Sequence, residues 1–318
     1  TAEAGDVVVT EDHVGLWTDS RYFIQAELQL KATCGELHKT RVPGAVSIPQ
    51  WLSDKAKVVA IDGICQSVDA VNELQDALGE GGLIVDVPDL LDELWLDRPA
   101  CPVTPITTLD VDCFGGIPRP EKLRWLREWM QQNHYDKMLL SSLDEIAWLL
   151  NVRASDIDYN PLVISYLVVS HDYVRWFVKK PGLYDSDFPD TWDSFEELQQ
   201  DGVDIWAYDE VFSGLSDDGD GEASGTIFVD SSTLNSNIYN YICKSFSNGG
   251  VVCGTSPVIL AKSVKAPSEI EHLRQTFVED GVAMERFLHW VETEVGNGRE
   301  VSEWEASEKL TSLRAEIP

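Results

Sequence analysis

Basic side chains are scarce in this sequence: 24 Lys and Arg stand against 55 Asp and Glu over 318 residues, a formal net charge of −31. The excess is not a tail, because residues 1–117 hold 7 basic and 20 acidic side chains, 118–257 hold 10 and 23, and 258–318 hold 7 and 12. Such a surface repels phosphate backbones and anionic lipid, so neither nucleic acid nor a membrane is expected as partner, and cationic partners are favoured. Cysteine is sparse too, with six residues at 34, 65, 101, 113, 243 and 253 and no C-x-x-C pair. That rules out a disulfide scaffold and predicts reduced thiols in a core. No apolar run exceeds Leu162 to Val169, far short of the ~20 residues that a bilayer demands. The start, Thr1-Ala2-Glu3-Ala4, has neither the basic nor the apolar region of a signal peptide, and a cytoplasmic address is expected.

What is present is the composition of a globular protein, 43% hydrophobic and 25% charged, long enough for two domains or more. Asp6–Thr10 and Val14–Trp17 read as strands around a turn, and Asp19 reads as the N-cap of a helix from Ser20 to about Lys31. Lys57–Asp62 is predicted as a short buried strand, Val68–Leu78 as an amphipathic helix, and Leu83–Val85 as a strand after the Gly81-Gly82 stop. The alternation is an α/β pattern. Pro-punctuated residues 98–118 read as a connection between domains. Beyond it the pattern resumes: a helix over Pro120–Asn133, a strand over Lys137–Ser142, a helix over Asp144–Leu150, and a hairpin of Leu162–Val169 with Tyr173–Val178. Ser213–Ser224 reads as a loop and Ser256-Pro257 as a boundary. Ser268 with Glu271, and Ser302 with Glu305, have the S-x-x-E spacing of helix capping boxes. Ile270, Leu273, Phe277, Met284, Leu288, Val291 and Val295 form one apolar stripe of the first of these helices.

Little of this is overtly catalytic. The six His, at 13, 38, 134, 171, 272 and 289, include no pair at metal-ligand spacing. The acidic loop from Ser216 lacks the first and last ligand positions of an EF-hand, and no phosphate loop or G-x-S-x-G elbow occurs. Two dense segments remain. Trp17-Thr18-Asp19-Ser20-Arg21-Tyr22-Phe23 packs polar groups between aromatics, with Asp19 and Arg21 expected to pair locally. In the segment from Ser142 to Asp156, an apolar helix delivers Asn151, Arg153 and Asp156 to a loop before Asn160-Pro161. These three are the substrate-proximal candidates, since a fixed guanidinium can hold a carboxylate or carbonyl bidentately. A purely structural Arg153–Asp156 ion pair is the alternative.

These segments, with Ser256-Pro257-Val258-Ile259, Lys262–Pro267 and the helix Glu269–Val295, resemble the eukaryotic cytosolic Xaa-Pro aminopeptidases (aminopeptidase P, of the creatinase/pita-bread metallopeptidases). Ser20 and Ala154 stand where that family usually has Gly. The resemblance implies two creatinase-like N-terminal domains with ribonuclease H-like mixed sheets and flanking helices, here 1–117, expected to be missing its start, and 118–257. Residues 258–318 would then be the truncated start of a pita-bread catalytic domain. In such enzymes two Mn or Zn ions are held by two Asp, one His and two Glu in the third domain, beyond Pro318. This chain is therefore expected to carry no metal, cofactor or catalytic residue of its own. The resemblance further implies peptides with proline at the second position as substrates of the parent enzyme, and a homodimer. The same architecture occurs in a histone-chaperone subunit that has lost its metal, an alternative that the −31 charge would suit.

Overall fold

The computed structural model describes residues 4–89, 91–111, 116–179, 189–216, 225–246 and 250–317, and the α/β alternation runs through all of them. β1 (Asp6–Val9) returns antiparallel as β2 (Val14–Thr18), α1 (Phe23–Leu30) follows, and β3 (Gly35–Lys39) joins β2 in parallel. The helix starts three residues later than predicted. Asp19 is not its cap, because both carboxylate oxygens are taken by the amide, Nε and Nη2 of Arg21, and Tyr22 opens the helix without a side-chain cap. After α2 (Ile48–Leu52), β4 (Val58–Ile61) and β5 (Leu83–Asp86) pair in parallel around α3 (Val68–Leu78). Ser67 caps α3 by accepting the Ala70 amide, and Gly79 at φ +67 ends it. β4 is not the buried strand predicted. It alternates, with Val58 61% exposed while Val59 and Ile61 pack on Leu52, Leu74 and Leu78.

The stretch predicted as a connection is stitched down. Ile106 is buried, and β6 (Thr107–Thr108) pairs antiparallel with residues 152–153. α4 (Arg119–Gln132) buries Leu123, Leu126 and Met130; β7 (Lys137–Leu140), α5 (Leu143–Leu150) and β8 (Val152–Arg153) follow. The predicted hairpin is β9 (Ser165–Ser170) with β10 (Val174–Val178), and α6 (Pro189–Gln200) leads to β11 (Val203–Ala207), parallel to β10. Of the predicted loop at 213–224, Ser213–Ser216 belongs to helix α7 (Val211–Ser216), and residues 217–224 lie outside the described ones. β12 (Ile227–Val229), α8 (Ser236–Ser245) and β13 (Val251–Cys253) come next, then α9 (Pro257–Ser263), capped by Ser256. α10 (Pro267–Gly296) and α11 (Glu303–Arg314) close the chain. Ser268 lies inside α10 rather than capping it, because Pro267 occupies the first turn and Glu269 accepts the Ala266 amide (2.7 Å).

Two compact units result. The first comprises Thr1–Cys101, Lys137–Ser142 and Asp209–Thr255, and carries the mixed sheet β1-β2-β3, the pair β4-β5, and the parallel ladder β7-β12-β13. The second comprises Pro102–Asp136, Leu143–Tyr208 and Ser256–Pro318, and carries the mixed ladder β9-β10-β11, the pair β6-β8, and α4–α6 with α9–α11. The cysteine expectation is corrected: Cys34, Cys65, Cys101, Cys243 and Cys253 are free but exposed, not core thiols. Cys113 lies outside the described residues.

Arg119, 3% exposed, ties three helices of the second unit together. Its Nε donates to the Leu150 carbonyl (2.6 Å), and its other nitrogens meet Glu197 (3.1 Å) and Asp201. Arg119→Met would leave a buried carbonyl without its donor. We expect a loss of about 3 kcal/mol in urea unfolding; an unchanged midpoint would contradict this role.

Candidate functional site

α5 ends on Leu149-Leu150-Asn151, and an α-helix leaves its last carbonyls without amide partners. Asn151 supplies the left-handed turn that stops the helix, at φ +55, which Asn tolerates better than branched residues. The open carbonyls are then met by cations from elsewhere in the second unit. Arg119 reaches Leu150, as above; the Lys122 ammonium donates to the Trp148 carbonyl; and Nη1 of Arg153 donates to the Ala147 (3.1 Å) and Val152 (2.8 Å) carbonyls. Positive charge at this end also complements the helix dipole. The other end is complementary, with Asp144 paired to Lys262 and Glu145 accepting from the buried Ser256 hydroxyl.

The cations interact with one another. Lys122 is 3% exposed, donates to Asn151 Oδ1 (2.6 Å), and lies 4.5 Å from the Trp148 ring centre. These contacts favour the ammonium, yet burial, first, and then the Arg153 charge push its pKa down to about 7; Glu269 opposes and Arg119 adds to the fall. Burial likewise lowers the pKa of Arg153, with Glu269 opposing. Beside Lys122 and Trp148 a cleft of about 600 Å³ opens, walled by Trp125 and rimmed by Glu121, Arg124 and Glu128.

Of the candidates, Asn151 and Asp156 are fully engaged in building the loop. Asn151 Nδ2 donates to the Ile117 carbonyl (3.2 Å) while its Oδ1 takes Lys122. Asp156 does not pair with Arg153. Its carboxylate accepts the Thr104 amide (3.1 Å) and hydroxyl (2.6 Å) and the Ile164 amide (2.9 Å). Arg153 uses only Nη1 for its hydrogen bonds, leaving Nε and Nη2 without a hydrogen bond to protein among the described residues, while the Glu269 charge acts on the guanidinium. Lys122 and Arg119 escaped the sequence reading because their acceptors lie 26 to 31 residues further on.

In the first unit, Asp19 and Arg21 form the local pair expected, and that pairing, first, lowers the Asp19 carboxyl to about 2. The fold also gathers His13, Glu36 and His38, which the sequence spacing kept apart. The i, i+2 spacing of Glu36 and His38 was the one signal in the sequence; His13 is added only by the register of β3 with β2.

The Lys122 shift sets a sign. With a folded pKa near 7 against 10.5 ordinarily, the unfolded chain binds one proton more between those values, so stability rises with pH across that window. Lys122→Met should remove this contribution. The wild-type minus variant unfolding free energy should climb by up to about 1.4 kcal/mol per pH unit from pH 7 to 9.5, whereas parallel profiles would refute the assignment.

The sequence over residues 97–269 matches the Creatinase/Prolidase N-terminal domain. Over 99% of its length the chain is 33% identical to Xaa-Pro aminopeptidase 1 of Dictyostelium discoideum, and over 97% it is 32% identical to Xaa-Pro aminopeptidase app-1 of Caenorhabditis elegans; it covers 50% of each. A crystal structure of an X-prolyl aminopeptidase from C. elegans, described as a cytosolic enzyme with a di-nuclear active site, superposes with a TM-score of 0.85 at 31% identity. That match covers 98% of this chain and 50% of the other. The chain thus spans about half the length of the curated relatives it matches. With its mixed sheets and flanking helices, it belongs to the creatinase/prolidase N-terminal domain family.

Proposed function

We propose that this chain is the non-catalytic portion of a metal-dependent Xaa-Pro aminopeptidase, a cytoplasmic, homodimeric enzyme that removes the N-terminal residue preceding proline. Residues 1–117 and 118–257 are its two creatinase-like, ribonuclease H-like domains, and 258–318 lead into a pita-bread catalytic domain. The observation that carries the reading is the end-to-end likeness to one half of the relatives named Xaa-Pro aminopeptidase. A second supports it: the apolar stripe of α10 is uncovered, with Ile270 39%, Phe277 72% and Val295 56% exposed, as a helix awaiting a further domain would be.

The two Mn or Zn ions of the proposed enzyme would generate the attacking hydroxide. Among the described residues the one cluster able to hold a metal is His13, Glu36 and His38. That is a single-ion set, and it does not match the two Asp, one His and two Glu implied for a di-nuclear centre. The part of this chain is positioning. An X-Pro bond is a tertiary amide without an N–H, and the carbonyls and carboxylate around it are the groups that a guanidinium can hold. The free Nε–Nη2 edge of Arg153 has the fork geometry for such an oxygen pair, and its Nη1 is anchored on two carbonyls. Asn151 and Asp156 fix the loop that carries it.

Two outcomes follow. The 318-residue chain alone, supplied with Mn²⁺ or Zn²⁺, should not cleave a Xaa-Pro-Pro peptide; turnover abolished by a chelator would place the metal ligands here after all. In the full-length protein, Arg153→Lys keeps a charge that can still donate to the Ala147 carbonyl but loses the fork. kcat/KM should then fall about tenfold or more, equal to about 1.4 kcal/mol of transition-state binding, while the melting temperature barely moves. Lowered stability at unchanged kcat/KM would return Arg153 to a structural role.

A further inference from the structure

His13 ends the turn between β1 and β2, where its carbonyl accepts the Thr10 amide (2.8 Å). Glu36 and His38 lie two apart on β3 and therefore on one face, and the parallel register sets Gly15 beside Glu36 and Trp17 beside His38. His13 Nε2 comes to 3.0 Å from His38 Nε2, with the rings 73° apart. A Glu36 carboxylate oxygen lies 3.9 Å from Nδ1 of His13, and one ligating atom from each of the three residues lies within 4.8 Å of the others.

The imidazoles are held in place. Trp17, buried and anchored by its indole N–H on the Val46 carbonyl (3.0 Å), stacks flat on His38 at a ring separation of 3.8 Å. Trp51 packs on His13 at 4.7 Å. Gly15 provides the room. A Cβ there would stand 2.6 Å from His13 Nε2, 2.9 Å from His38 Cδ2 and 2.5 Å from the Trp17 ring. Gly15 is not among the glycines at positive φ, so its backbone conformation does not demand glycine. Its lack of a side chain is needed so that the two rings can meet.

Two facing imidazole nitrogens can share one proton, or both can offer lone pairs to a cation. On tetrahedral Zn²⁺, with Zn–N near 2.0–2.1 Å, two ligand nitrogens stand about 3.3 Å apart, a few tenths of an ångström from the separation here. We propose that His13 and His38 bind one borderline divalent cation between their Nε2 atoms, Zn²⁺ by its donor chemistry, and that Glu36, which lies on the Nδ1 side of His13, turns its exposed side chain in as the third ligand, stapling the β1–β2 turn to β3 across Gly15. Two nitrogens and one carboxylate select Zn²⁺ over the oxygen-seeking Mg²⁺ and Ca²⁺, and water completes the tetrahedron. Glu36, whose side chain is 71% exposed, leaves the site open to solvent, so the ion enters without unfolding. Binding to the folded form alone stabilises it by mass action.

The test is a Zn²⁺ titration of the 318-residue protein by calorimetry at pH 7.5, with imidazole ¹H–¹⁵N spectra at one equivalent. The five exposed free cysteines among the described residues are a competing source of affinity, so the site is defined as what ligand substitutions remove. His13→Gln and His38→Gln should each weaken the tightest site at least tenfold and Glu36→Gln severalfold, while His289→Gln, exposed on α10, changes nothing. Because His38 packs on Trp17, its variant risks misfolding; His13→Gln, in a turn, and the wild-type spectra are independent of that. In the wild type two imidazoles should shift together, and His13→Gln should abolish both shifts. No saturable binding, affinities of His13→Gln and His38→Gln within twofold of wild type, or unmoved imidazole nitrogens would overturn the proposal.

Discussion

The C-terminal end of α5 is the constraint around which the second unit is arranged. A helix that stops in a buried place leaves carbonyls that water cannot reach, each costing about as much as a lost hydrogen bond. Here three cations supply the donors: Arg119 and Lys122 from α4, and Arg153 from β8 just beyond the turn. Each choice fixes a neighbour. Arg119 brings in Glu197 and Asp201 at the end of α6, while Lys122 holds Asn151. Three like charges at one helix end repel, and the burial that depresses Lys122 to about 7 relieves part of that repulsion by favouring its neutral form.

The recognition role proposed for Arg153 rests on the same arrangement. Its Nη1 is committed to the Ala147 and Val152 carbonyls, which orients the guanidinium plane and leaves the opposite edge to accept a partner. Asp156, two hydrogen bonds to Thr104 and one to Ile164, works as a clamp between the segment before β6 and the loop before β9. A donor edge carried on β8, next to a loop that Asp156 fixes, is the preorganisation that the proposed role would use.

Local signals were legible in the sequence, and competition between local signals was not. The bounds of α3, the β9–β10 hairpin and the Ser302 cap of α11 follow from cap residues and periodicity that nothing nearby contests. Asp19 and Ser268 look like equally good caps, but Arg21 captures one carboxylate, and Pro267 with Glu269 pre-empts the other position. The candidate site was half legible. Asn151, Arg153 and Asp156 stand out beside an apolar helix, whereas Arg119 and Lys122, both buried in the fold, carry no local signal because their acceptors on α5 lie 26 to 31 residues away. His13 and His38 are 25 residues apart, and only the register of β2 with β3 shows that they face each other across Gly15.

The central claim, that this chain serves a peptidase specific for proline at the second position, is tested most directly on the full-length enzyme proposed to contain it. The measurement is release of the N-terminal residue from a Xaa-Pro-Pro peptide, set beside the same peptide with alanine in the second position. The account predicts turnover of the proline peptide that a chelator removes and Mn²⁺ or Zn²⁺ restores, with the alanine peptide left intact. Absence of metal-restorable turnover, or equal cleavage of both peptides, would contradict it.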